Sequence, residues 1–97
     1  MEFEWDESKN KKNLADHGLD FADAQFLFDK PVFGWTDNRK DYKEKRLVGL
    51  GEFNSHVVVL VYTMRQKTIC RVISLRRANK NERGKYHSWI KNHEKQN

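Results

Sequence analysis

With 97 residues, 34% of them charged and 37% hydrophobic, the chain has room for one domain with a modest core. A net charge of +5 and a pI near 9.4 favour polyanionic partners, whether nucleic acid, an acidic protein or an anionic membrane surface, without choosing among them. A single cysteine, Cys70, excludes a disulfide framework and a thiolate zinc site, and in its apolar strand it reads as a small buried hydrophobe.

The acidic, aromatic start MEFEWDESK lacks the basic-then-apolar pattern of a signal peptide. The longest apolar run, VVVLVY at 57–62, is too short to span a bilayer, so a cytoplasmic protein without membrane contact is expected. Phe3–Trp5 reads as a short strand. Asp6 is placed to cap a helix over ESKNKKNLADH that Gly18 ends, with His17 in its last turn and Asn10, Asn13, Leu14 and His17 on one face. Asp20 caps a second helix, in which Phe21, Ala24, Leu27 and Phe28 form a stripe that Ala22 and Phe26 widen, and Pro31 stops it. These two elements form a helical hairpin.

VFGWT at 32–36 is a strand, and the charged stretch DNRKDYKEKR at 37–46 is expected to be an exposed, mobile loop. Strands follow at Arg46–Phe53, Val57–Arg65 and Thr68–Arg76, and the short links NSH and RQK force antiparallel hairpins. Val57–Val61 is apolar at every position, which predicts a central strand. Asn79 and Glu82 have capping-box spacing for a last helix with the stripe Glu82, Tyr86, Trp89, Ile90 and His93, and its terminal EKQN is expected to fray. The predicted fold is α+β over one domain, 1–97: an N-terminal strand and helical hairpin, a four-stranded antiparallel meander sheet and a C-terminal helix.

The chemistry-bearing residues are mostly arginines. Strict alternation along the last strand puts Arg71 on one face with Ile69, Ile73 and Leu75, and Val72, Ser74 and Arg76 on the other. A guanidinium on a core strand needs a carboxylate partner or an open face that admits an anion. Arg76 and Arg77 lie where the strand ends and the last helix begins, a place suited to holding phosphate in a planar fork. His17 reads first as a helix C-terminal residue in favourable contact with the dipole, Tyr86 as a core residue whose hydroxyl reaches toward the arginines, and Glu82 as a cap rather than a base. Lys43 and Lys45 are solvated, and with Tyr42 and Trp35 nearby they suit single-stranded RNA. No two histidines have metal-ligand spacing, and phosphate-loop, nucleophile-elbow and H-E-x-x-H motifs are absent. An enzyme built on this chain would therefore need no metal or cofactor, an inventory suited to RNA cleavage by the substrate's own 2′-hydroxyl. A non-catalytic basic module that binds protein or RNA has the same composition.

Two segments carry a family resemblance. FEWDESKNKKNLADHGLDFADAQFLFD at 3–29, with its Lys9–Asn13 spacing and H-G pair, and RVISLRRANKNERGKY at 71–86 resemble the opening and closing motifs of the BrnT toxin family. The resemblance implies a RelE-like fold and a ribonuclease toxin of a type II toxin–antitoxin system that arrests translation. It also implies a BrnA-type ribbon-helix-helix antitoxin, through which alone the toxin would meet DNA. His17, Arg71, Ser74, Arg76, Glu82, Arg83 and Tyr86 match the family motif by position, whereas Asp16 replaces an expected basic residue and Leu75 a small one. The expected catalytic set is Arg76, Arg71, His17 and Tyr86, with Arg65, Arg77, Arg83, Lys43 and Lys45 holding RNA and no metal.

Overall fold

The computed structural model describes residues 1–95. Along the chain they form β1 (Glu2–Glu4), α1 (Glu7–His17), a 3₁₀ segment (Phe21–Asp29), β2 (Phe33–Thr36), β3 (Leu47–Phe53), β4 (His56–Arg65), β5 (Ile69–Arg77) and α2 (Lys80–Lys95). The last two residues of the segment expected to fray, Gln96 and Asn97, lie outside the described residues.

The apolar run on β4 occupies the centre of the sheet, whose order is β1-β5-β4-β3-β2, and β4 is antiparallel to both neighbours. Its hairpins close through Asn54–Ser55 and Gln66–Lys67, all four with positive φ, as the right-handed twist of paired strands favours in tight turns. The expected four-stranded meander is corrected in one respect. β1 lies parallel to β5, pairing Glu2 with Ile69 and Glu4 with Arg71, so the sheet is five-stranded and mixed. Without β1, the outer peptide groups of β5 would form an open edge, and Phe3 and Trp5 would lose their packing on the core.

Helices cover the two faces unequally. On one face α1 and the 3₁₀ segment close a core of Leu19, Phe21, Ala24, Leu27, Val58, Leu60, Val72 and Leu75. On the other, α2 lays Tyr86, Trp89 and Ile90 over Leu50, Val57 and Val59. The second helix of the expected hairpin is not α-helical. Asp20 caps it by accepting from Ala22 N at 2.9 Å, and the three-residue period of a 3₁₀ coil aligns the buried Phe21, Ala24 and Leu27 along one edge. Phe26 is consequently not part of the buried stripe; it is 47% exposed and stacks on Phe53 at 6.1 Å. Gly51 lets this segment approach the sheet, since a Cβ there would meet Leu27 Cδ2 at 3.1 Å.

The polar face of α1 has a structural use. Asn13 is buried, donates to the carbonyls of Leu75 at 2.8 Å and Leu19 at 3.0 Å, and accepts from Leu75 N at 3.3 Å. It thereby replaces a strand partner for β5 beyond Arg71, where β1 has ended. Asn10 joins the two helical elements by donating to Asp20 at 3.0 Å and accepting from Phe21 N at 2.8 Å.

Candidate functional site

A bulge in β5 decides which arginines face the open half of the sheet. Val61 pairs with Ser74 but Tyr62 pairs with Val72, so Ile73 is an extra residue and the alternation changes phase there. Val72 consequently joins Leu75 in the core against α1, while Arg71, opposite Thr63, shares the α2 face with Ser74 and Arg76. This reverses the assignment by strict alternation, which separated Arg71 from Arg76.

Because α2 covers only part of its face, a hollow of about 450 Å³ remains beside it. Its floor is Val48, Val59 and Val61, and its walls include Ser74, Arg76 and Glu82 on one side and Trp35, Asp37 and Arg39 on the other. Arg76 Nη1 and Nη2 each donate to Glu82 at 2.8 Å, a bidentate fork. Glu82 is itself fixed by the capping box of α2: it accepts from Asn79 N at 2.8 Å, and its own N–H donates to Asn79 Oδ1 at 2.9 Å. The Arg76 hydrogen bonds, helped by the Asn79 N–H and against the effect of burial, hold the Glu82 carboxyl down at about 2. The same pairing raises the affinity of Arg76 for its proton.

A second fork lies across the hollow. Asp37 is buried and accepts from Arg39 Nε at 2.9 Å and Nη2 at 3.0 Å, from Arg39 N at 3.2 Å and from the Tyr42 hydroxyl at 3.3 Å. Those bonds, the Arg39 side chain foremost, lower its carboxyl to about 2. The Asp37 N–H donates to the Arg46 carbonyl at 2.8 Å, and the Arg46 guanidinium lies 4.1 Å from the Tyr42 ring centre, so the 37–46 loop is tied around Asp37. Sequence reading missed Asp37 and Arg39 because they sit in a stretch that is polar throughout; the available signal was the Asp-x-Arg spacing at a strand end.

The remaining expected residues do not gather at Arg76. Arg71 pairs with Glu4 at 3.1 Å, and Arg65 lies 3.8 Å from Glu4 and 3.6 Å from Glu44, farther along the same face. Lys43 and Lys45 are exposed on the loop, and the Lys45 carbonyl accepts from Thr63 at 2.8 Å. Tyr86 is 2% exposed and packs between α2 and the sheet. His17 lies on the opposite face, beside Lys12, Asp16 and Ile73, so the structure does not bring it to Arg76. The Cys70 thiol is pushed up to about 12 by burial, consistent with an inert core residue.

A family model described as "Ribonuclease toxin, BrnT, of type II toxin-antitoxin system" matches residues 5–82. The chain belongs to the BrnT family of ribonuclease toxins. It is 34% identical to the Brucella abortus ribonuclease toxin BrnT, known from a crystal structure; that likeness covers 82% of this chain and 99% of the other, with a TM-score of 0.62. No curated protein matches the chain.

In this BrnT-family chain the family match ends at Glu82, just where α2 separates a second hollow from the first. Its volume is about 350 Å³, and its lining includes Arg77, Arg83, His56, His87 and Glu52. The neighbours Arg76 and Arg77 therefore enter different hollows, as do Glu82 and Arg83. Among the described residues no group of three or more His, Cys, Asp or Glu side chains is placed to hold a metal ion, and no helix is long and apolar enough to cross a membrane.

Proposed function

We propose that the chain is a metal-independent endoribonuclease toxin that acts in the cytoplasm, arrests translation and growth, and works at the Arg76 hollow. The observation that carries this reading is the Arg76–Glu82 fork, rigidly held by a helix cap at the wall of an open concavity. The fork parks the guanidinium at the wall of the hollow, within reach of a phosphate that displaces the carboxylate, and transition-state stabilisation requires such a charged donor beside the reacting phosphorus. Trp35, 40% exposed at the same hollow, offers a face for stacking a base.

On this reading an RNA phosphate takes the Arg76 fork from Glu82. The released carboxylate loses the partner that depressed its pKa, becomes a better base and accepts the proton of the 2′-hydroxyl. The 2′-oxygen bonds to phosphorus and the P–O5′ bond breaks. A 2′,3′-cyclic phosphate remains, and the 5′-oxygen takes a proton from water in the open hollow. Arg76 stabilises the charge on the pentacoordinate phosphate, while Arg71, on the same face, stays paired with Glu4. A BrnA-type ribbon-helix-helix antitoxin would neutralise the toxin and provide its only contact with DNA. The test is cleavage of purified RNA in excess EDTA, with analysis of product ends. Sustained cleavage to cyclic phosphate ends supports the reading, and loss of cleavage on chelation overturns it.

A further inference from the structure

We infer that the second hollow, built from Arg77, Arg83, His56 and His87, is a separate binding site for an RNA backbone phosphate, one that supplies affinity and takes no part in bond cleavage. The inference rests on the reading of the chain as a protein that acts on RNA. Its basis is the different state of the arginines on the two sides of α2. In the first hollow both guanidiniums are forked onto carboxylates, Arg76 on Glu82 and Arg39 on Asp37. In the second, neither Arg77 nor Arg83 has a carboxylate partner among the described residues. Glu52, the carboxylate in its lining, is matched to Lys30 at 3.1 Å.

The donors in this hollow are partly positioned. Arg83 Nη1 donates to the Ala78 carbonyl at 3.0 Å, which fixes one edge of its guanidinium and leaves the rest of the fork for a ligand. His87, exposed on α2, lies edge-on to the buried Tyr86 ring at 5.7 Å and lines the hollow. His56 opens β4 directly after the tight Asn54–Ser55 turn. A neutral imidazole retains one N–H donor, so both histidines add donors whatever their protonation. Two unmatched guanidiniums and two imidazoles around one concavity suit the tetrahedral oxygens of a phosphate. The alternation that sends Arg76 and Arg77 in opposite directions puts this site next to the Arg76 hollow, within reach of one strand of RNA crossing the start of α2.

The test measures equilibrium binding of a 2′-O-methyl RNA oligonucleotide, which cannot be cleaved, across a range of salt. It compares wild type with Arg77→Gln/Arg83→Gln, Arg77→Lys/Arg83→Lys and the distant control Lys11→Gln. The double glutamine variant should bind on the order of tenfold more weakly, with the slope of log affinity against log salt reduced by ~0.7, the value for one lost phosphate contact on a single strand. The lysine pair should restore most of the slope, and Lys11→Gln should change neither quantity. An unchanged thermal midpoint confirms that the glutamine variant is folded; if its midpoint falls, Arg77→Gln alone is read, because Arg77 is exposed and the hydrogen bond to the Ala78 carbonyl comes from Arg83. Wild-type affinity and slope in the glutamine variants would overturn the inference. So would an equal loss in Lys11→Gln, tight binding of inorganic phosphate with RNA binding unmoved, or a loss confined to binding of an acidic protein partner. A wild-type chain that binds this RNA at the Arg77–Arg83 site but never cleaves natural RNA would sink the ribonuclease reading and leave the phosphate site standing.

Discussion

The two hollows flanking the first turns of α2 are made from the same materials and solve different problems. In one, each arginine is matched by a carboxylate, so the region is formally neutral and its guanidiniums are kept at the wall of the hollow, where a phosphate that displaces the carboxylate meets a charged donor. In the other, the arginines have no carboxylate partner among the described residues, so the region carries net positive charge, as attraction and retention of a polyanion require. Charge that is neutralised by its own support attracts RNA poorly, and unneutralised charge is held in place poorly. Dividing the tasks between two sites avoids asking one arginine to do both.

The comparison breaks first at the Arg76 fork. Glu82→Gln should lower single-turnover cleavage by roughly 10²–10⁴, the usual loss of a positioned general base. Arg76→Ala should lower it by ~10²–10³, with Arg76→Lys rescuing part of the loss because lysine supplies charge without the planar fork. RNA affinity should fall less than the rate in Arg76→Ala, since the contact strengthens mainly in the transition state. Wild-type cleavage rates in these variants would remove the distinction between the hollows.

Next in size is the floor beneath the first hollow. Val59 is 2% exposed and also packs under α2, so Val59→Ala should destabilise the fold by ~1–3 kcal/mol, scaled down from larger core truncations. Thermal unfolding measures this, and an unmoved midpoint would show that the hollow does not need its floor to be packed.

Acid should also act on the first hollow. The Glu82 carboxyl is lowered from 4.5 to about 2 in the folded chain, and that of Asp37 from 3.8 to about 2. A depressed folded pKa contributes stability that is present above the unfolded value and is lost as pH falls through the folded one. Thermal midpoints should therefore decline between about pH 4.5 and pH 2. The decline should be shallower in Glu82→Gln and in Asp37→Asn, and equal slopes in all three proteins would mean that the forks do not bear on folding. The smallest expected effect is on binding: freeing the Arg76 fork in Glu82→Gln should raise affinity for the non-cleavable RNA by up to about fivefold, the equivalent of ~1 kcal/mol for a partly exposed ion pair. Weaker binding would mean that Glu82 orients Arg76 toward RNA rather than competing with it.

Much of the fold was legible because its signals are local. Asp6 and Gly18 bound α1, Asn79 and Glu82 start α2, and the unbroken apolar run from Val57 places β4 at the centre. The helical type of Phe21–Asp29 was not legible, because Phe21, Ala24, Leu27 and Phe28 satisfy the α-helical period and a period of three describes all but the last of them. Of the expected site, Arg76 is at a concavity and Arg71 shares its face, whereas His17 lies across the sheet and Tyr86 is buried.

The sequence by itself determined the α+β class, the order and nearly all the limits of the elements, the basic character and the family, since each is carried by residue type and short-range spacing. Only the tertiary structure decided which face each arginine occupies. One extra residue, Ile73, changes the phase of β5 and turns Arg71 to the face that Arg76 occupies, and no local pattern marks a bulge whose position depends on what β4 offers opposite. The tertiary structure likewise paired β1 with β5 and buried Asp37 as the anchor of a charged loop. It also placed α2 so that two adjacent arginines serve two different hollows. In each case the deciding energy comes from satisfying peptide groups and charges between segments far apart in the chain, which spacing along one segment does not encode.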